Sequence, residues 1–189
     1  AYREYRRQLQ LLLWRERVDQ LVLKCPEHLW FLDSVLEAFP DACIVWTHRD
    51  PLDCVASYSS LISLSRRTLQ GRIDPAQIGP HIADRFHQGV ERAMAARDAI
   101  GDESRFFDVN FRELVADPVG MTNRIEERFG LDPTDHRLLD DWLTKKRADA
   151  PGRHRYDPAM WDLHADPIRE KFAKYIERFG IDASTEPAA

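Results

Sequence analysis

The sequence predicts an α/β protein, helix-rich, with a parallel sheet flanked by helices. Two observations carry that prediction. Short β-forming runs alternate with amphipathic helical stretches, and a helical crossover between successive runs makes the strands parallel. Six of the 11 prolines directly follow an aspartate: Pro51, Pro75, Pro118, Pro133, Pro158 and Pro167. Asp-Pro joins a capping carboxylate to a ring whose fixed φ suits the first helical position, so these pairs mark where helices and turns begin.

The elements follow in order. Residues 2–17 read as a helix carrying Leu9, Leu12 and Leu13 among many arginines. Residues 20–24 form a short β-like run ending on Lys24. Residues 28–39 read as a helix with Leu29, Leu32, Val35, Leu36 and Phe39 on one face, stopped by Pro40. Residues 43–48 are a buried strand, Cys-Ile-Val-Trp-Thr-His, that ends on Arg49 and turns at Asp50-Pro51 into a helix over 51–67. A long helix follows at about 80–100, with Ile82, Phe86, Val90 and Met94 at steps of four and Gly101 ending it. Residues 106–109 are a third strand, and Asp117-Pro118 opens a helix closed by Gly130. Residues 134–146 are helical, and one last helix runs from Asp166-Pro167 through Ile168, Phe172, Tyr175 and Phe179 to Gly180. Residues 1–182 read as a single domain, with 183–189 a polar tail. Three strands make a thin parallel sheet, since such sheets are covered on both faces and usually wider.

Composition narrows the classes. With 43% hydrophobic and 31% charged residues in 189 positions, the chain is ordinary globular protein large enough for one core. No apolar run approaches the roughly 20 residues that cross a membrane, and no basic-then-apolar leader is present. The net charge of −5 argues against non-specific nucleic-acid binding. The three cysteines, Cys25, Cys43 and Cys54, lack C-x-x-C spacing and read as small buried hydrophobes in a reducing cytoplasm. The seven histidines show no zinc-ligand pattern, so no metal is expected.

Three clusters carry chemistry. Arg49, at a strand end beside a helix N-terminus, suits a phosphate-like anion, and Ser57 lies eight positions on, about two turns (roughly 9–10 Å) along that helix. Lys24-Cys-Pro-Glu27-His28 supplies a cation for a leaving oxygen and a carboxylate or imidazole to take a proton. Residues 145–155 hold five Lys/Arg against one Asp, with Pro151-Gly152 making a loop, in a chain that is acidic overall. Taken singly, each cluster also has a plain reading: an arginine that is solvated or paired with Asp50 or Asp53, a surface lysine with a helix-cap histidine, and a solvated basic loop.

In this order the clusters resemble the sulfotransferase family, in the bacterial branch often described as Sulfotransfer_3-like. The matching segments are Lys24-Cys-Pro-Glu-His-Leu, then Ala38-Phe-Pro-Asp-Ala-Cys-Ile-Val-Trp-Thr-His-Arg-Asp-Pro with Ser57-Tyr, then Phe111-Arg-Glu-Leu-Val-Ala-Asp-Pro118 and Gly152-Arg-His-Arg-Tyr156. The resemblance implies a P-loop-NTPase-like fold and transfer of a sulfuryl group from 3′-phosphoadenosine 5′-phosphosulfate (PAPS) to a small-molecule or saccharide hydroxyl or amine. It assigns Arg49 and Ser57 to the donor's 3′-phosphate and Lys24 to the bridging oxygen. Phe111 falls where many members place an adenine-contacting Tyr. Gly152, Arg153, His154 and Arg155 match the basic loop that closes on the phosphates, and His28 is the candidate general base.

One feature of the family is missing. No glycine-rich 5′-phosphosulfate loop occurs in the 189 residues. The expectation is that it lies before Ala1, which makes this chain a C-terminal portion lacking the first strand. Two alternatives remain at this point: a non-catalytic module that binds the nucleotide, and a P-loop kinase relative, which the missing Walker residues oppose. The acceptor is not legible, although residues 64–80 form a candidate lid.

Overall fold

The computed structural model describes residues 1–16, 18–148 and 157–182. Its sheet has two parallel strands, β1 (Ile44–His48) and β2 (Phe106–Asn110), with Ile44 opposite Phe106 and His48 opposite Asn110. Between them run two long helices, α3 (Pro51–Gln70) and α4 (Pro75–Ile100). Before them come α1 (Tyr2–Leu12), a 3-10 turn at Pro26–Phe31 and α2 (Leu32–Ala38). After β2 follow α5 (Phe111–Ala116), α6 (Pro118–Phe129), α7 (His136–Ala148), a 3-10 turn at Pro158–Trp161, α8 (Ala165–Lys171) and α9 (Ala173–Phe179).

The Asp-Pro pairs do what the sequence predicts at four positions. Asp50, Asp74, Asp117 and Asp157 each precede a first-turn proline and accept a main-chain N–H from that turn. At the other helix ends, Gly101, Gly130 and Gly180 close α4, α6 and α9 with positive φ.

The core gathers α3 and α4 with Trp46 of β1 and Phe106 of β2. Val55 and Ala56 of α3, Ile78, Ile82 and Ala93 of α4, and Phe172 between α8 and α9 are buried together. Two glycines let α4 come this close. A Cβ on Gly79 would stand 2.0 Å from the Trp161 carbonyl oxygen, and one on Gly89 would stand 2.5 Å from the Trp30 ring. Trp161 is also tied to α3, its Nε1 donating to Ser63 Oγ at 2.8 Å.

Several expectations need correction. Residues 20–24 are not a strand; no described segment pairs with them, and Val22 is 87% exposed. Lys24 therefore leaves a coil, not a sheet. The first helix stops at Leu12, and the predicted helix over 28–39 divides into a 3-10 turn and α2. The last helix divides at Phe172, although no Gly or Pro breaks it there. The candidate lid is largely helical, belonging to the end of α3 and the start of α4. Cys25 and Cys43 are exposed, because Cys25 lies in coil and Cys43 just ahead of β1; Cys54 is half-buried on α3. Among the described residues no helix is long and apolar enough to cross a membrane.

Gly79→Ala is expected to destabilise by about 1–3 kcal/mol, because backbone faces the new methyl and outweighs alanine's helix preference of roughly 1 kcal/mol. The midpoint of urea unfolding reads this, and an unchanged or higher midpoint would show that α4 and the Trp161 turn can move apart without cost.

Candidate functional site

The β1–α3 junction assembles the site. Asp50 caps α3, its Oδ1 accepting the Leu52 N–H at 2.9 Å, while Oδ2 stands 3.7 Å from Arg169 Nη2 on α8. The helix N-terminus thus already holds a carboxylate of the protein itself. Arg49 lies between strand and cap with its side chain 23% exposed. Its Nε donates to Asp53 Oδ2 at 3.3 Å, and its guanidinium carbon sits 4.7 Å from the centre of the Phe111 ring. Phe111 is the first residue of α5, directly after β2. Because the strands are parallel, Arg49 and Phe111 leave the sheet at the same rim, where ligands gather in open α/β sheets. Among the described residues the two terminal nitrogens of Arg49 have no hydrogen-bond partner.

Ser57 is exposed on α3, four residues after Asp53. That spacing puts both on one helix face, about 6 Å apart along the axis. The pairing partner of Arg49 and the Ser57 hydroxyl therefore share a stripe of α3. The other serines differ: Ser59 and Ser63 are buried, and Ser59 Oγ has no partner.

Next to Arg49, His48 opens a polar chain that the sequence reading missed and that runs from buried His48 to the exposed carboxylates of Asp108 and Glu103. His48 Nε2 donates to Asp108 Oδ1 at 2.8 Å, since a carboxylate only accepts. Asp108 also receives Arg97 Nη1 at 2.8 Å and Nη2 at 2.9 Å, and Arg97 Nε reaches Glu103 at 3.0 Å. On its other side, His48 Nδ1 is 3.1 Å from Tyr175 Oη. The imidazole stacks on Phe179 at 4.0 Å between centroids. Burial pushes the Asp108 carboxyl up, but hydrogen bonds from His48 and Arg97 outweigh it and hold the group well below the usual carboxylate range. Hydrogen bonds from Asp108 likewise raise the Arg97 guanidinium, against the effect of burial. Burial raises the Tyr175 phenol well above its ordinary value. The legible signal was a carboxylate between Phe107 and Val109 in a strand, which demands a partner.

Lys24 and His28 lie ahead of α2, in the coil and the 3-10 turn that precede it. Lys24 is exposed in coil. His28, in the 3-10 turn, packs against Tyr2 and Tyr5 of α1, and its Nδ1 is 2.9 Å from Tyr2 Oη. Burial lowers the imidazole below its ordinary value. A ring that takes a proton on Nε2 must carry one on Nδ1, and the Tyr2 oxygen is placed to accept it. Glu27 is committed to Arg85 at 2.8 Å, which leaves His28 as the better base of the two. No hydrogen bond or ring contact among the described residues joins His28 to Arg49, Ser57 or Phe111. Gly152, Arg153, His154 and Arg155, with the tail 183–189, lie outside the described residues. Among the described residues no three His, Cys, Asp or Glu side chains gather as a metal-holding group.

Comparison with known proteins gives one consistent answer. A family model described as the sulfotransferase family matches residues 2–135. Omega-hydroxy-beta-dihydromenaquinone-9 sulfotransferase Stf3, from Mycobacterium bovis and Mycobacterium tuberculosis, is 25% identical over 188 residues, covering 95% of this chain and 46% of its own. The crystal structure of sulfotransferase STF9 from Mycobacterium avium superposes with a TM-score of 0.85 at 27% identity, covering 98% of this chain and 48% of that one. Sulfotransferase STF1 from M. tuberculosis H37Rv gives 0.73 at 34% identity, covering 92% and 44%. The chain spans about half the length of the relatives it matches.

Asp108→Asn is expected to cost about 1.5–3 kcal/mol at neutral pH, the scale of a hydrogen bond to a charged group. Because the folded carboxyl titrates below its unfolded value near 4, this stability is present above about pH 4 and fades as pH falls further. Urea midpoints measured from pH 7 to pH 2 should fall more steeply for the wild type than for the variant; parallel curves would refute the linkage.

Proposed function

The chain belongs to the sulfotransferase family, and from that premise we propose that it serves sulfuryl transfer from PAPS to a hydroxyl or amine acceptor, supplying the grip on the donor's 3′-phosphate. The observation that carries this reading is Arg49 at the sheet rim, backed by Phe111 and with both terminal nitrogens unbonded among the described residues. Nε stays on Asp53 while the two terminal nitrogens suit bidentate contact with phosphate oxygens. Ser57, exposed on the Asp53 face of α3, offers a hydroxyl to the same anion. Phe111 offers a ring to the adenine as well as to the guanidinium.

In the reaction, an acceptor oxygen or nitrogen attacks sulfur in line. The bond from sulfur to the bridging oxygen breaks, its electron pair leaves with adenosine 3′,5′-bisphosphate, and the acceptor's proton passes to a base. We assign Lys24 to the charge building on the bridging oxygen and His28, kept neutral by burial, to the proton. Stf3 is named for a hydroxylated menaquinone, which supports a hydroxyl as the acceptor group. A second reading is nucleotide binding without turnover, favoured by the contacts of His28, which go to Tyr2 and Tyr5 of α1.

Titration calorimetry with adenosine 3′,5′-bisphosphate is expected to show binding that Arg49→Ala weakens by more than tenfold, given about 1.5–3 kcal/mol for a charge-assisted contact. Equal affinity of the two proteins would remove Arg49 from the donor site. Incubation with sulfur-labelled PAPS and a panel of phenols, alcohols and amines separates transfer from binding alone.

A further inference from the structure

We propose that the outer end of α3 docks on an anionic lipid surface, seating three leucines at the boundary between headgroups and acyl chains with arginines on either side among the headgroups. The helix rests on the bilayer and does not span it, since among the described residues no helix is long and apolar enough to cross a membrane. This stands independently of how the donor is held.

Helical spacing lays out the face. At about 100° per residue, Leu64, Leu61 and Leu69 fall within an arc of about 140°. They are 65%, 56% and 84% exposed. Buried Val55, Ala56, Ser59 and Ser63 lie on the opposite side of the helix, so the leucines face away from the core. Ser65 and Thr68 fall inside the arc, but their hydroxyls donate to the carbonyls of Leu61 at 3.1 Å and Leu64 at 3.0 Å. Neither hydroxyl proton is left for water. At the helix end, the Arg67 carbonyl accepts the Gly71 N–H at 3.0 Å. The face can therefore meet an apolar boundary without stranding these groups.

Charge names the partner. Arg66 and Arg67 lie about 60° beyond the two edges of the arc, one on each side, and exposed Arg72 follows in the turn after the helix. From Leu61 to Ile73 there is no Asp or Glu, in a chain whose net charge is −5. Among the described residues no carboxylate pairs with any of the three arginines. Leucines flanked by cations, whose stems lie along apolar surface while the guanidinium reaches phosphate, make a helix that lies in an interface. Other exposed apolar residues differ in this respect. Leu11, Leu12 and Trp14 are followed by Glu16 and Asp19, and Leu138 and Trp142 flank Asp140 and Asp141, carboxylates that an anionic surface repels. Ser57 falls within the leucine arc, about 10 Å along the axis from Leu64, so docking brings the candidate site close to the lipid surface.

The test is co-sedimentation of the full chain with vesicles of two compositions, phosphatidylcholine alone and phosphatidylcholine mixed with phosphatidylglycerol. The protein is expected to partition onto the mixed vesicles and not onto the neutral ones, and to come off as salt screens the arginines. Arg66→Ala combined with Arg67→Ala is expected to lower the partition coefficient by about tenfold or more, and Leu64→Asn combined with Leu69→Asn by a similar factor. All four side chains are exposed, so both variants should keep the wild-type urea midpoint. The salt series on the wild type decides without any variant. No partition, equal partition onto both compositions, or unchanged partition of the variants overturns the docking. Light scattering reads the competing occupant: a wild-type dimer that Leu64→Asn with Leu69→Asn dissociates makes this face a contact between two copies, which also overturns it.

Discussion

The Asp108 carboxylate is the point on which the structure turns. It sits on β2, takes His48 from β1 and Arg97 from α4, and so joins both strands to the longest helix through one side chain. Two strands alone make a marginally stable unit in water. Here the pair is held from one face by the ionic cluster together with Trp46, Phe106 and Phe179, the last packed 5.2 Å from Trp46. Arg97 is buried and spends its donors on two carboxylates, so its charge is compensated where it lies. Its guanidinium also covers the Phe106 ring at 4.6 Å, which places the cation over an apolar core without isolating it.

The candidate site uses the opposite principle. Arg49 is partly exposed and only loosely engaged, with one 3.3 Å contact to Asp53 and a ring beneath it. Two arginines in one small protein are thus prepared for different ends. Arg97 meets two carboxylates and fixes the frame, while Arg49 is held through Nε and keeps the rest of its fork for the proposed anion. Asp53 keeps the guanidinium oriented in the absence of that anion.

Much of this was legible in the sequence. The run ending at Arg49 folds as a strand, Asp50-Pro51 caps a helix, and Ser57 falls on the face that Asp53 occupies, all from local rules of strand propensity, capping and helical spacing. The resemblance that those residues carried is confirmed at the level of family and fold. What escaped was non-local. His48 and Asp108 are 60 positions apart, and His48 and Tyr175 are 127 apart, so no local pattern announces either bond. Residues 20–24 failed for the converse reason: Leu21, Val22 and Leu23 favour a strand, but a strand needs a neighbour to bond with, and none lies beside them among the described residues. The sequence argument for Lys24 and His28 at the sheet rim started from that strand, so it does not carry over to the coil.

The diagonal placement of His48 and Asp108 has a further consequence. Asp108 lies directly opposite Trp46, two residues back from His48, so the bond slants across the ladder on a single face. Sliding one strand by a single residue would turn Asp108 away from both His48 and Arg97 and leave the buried guanidinium with Glu103 alone. Five-residue strands offer little of their own to forbid such a slip, and this slanted bond acts as the pin that sets their register.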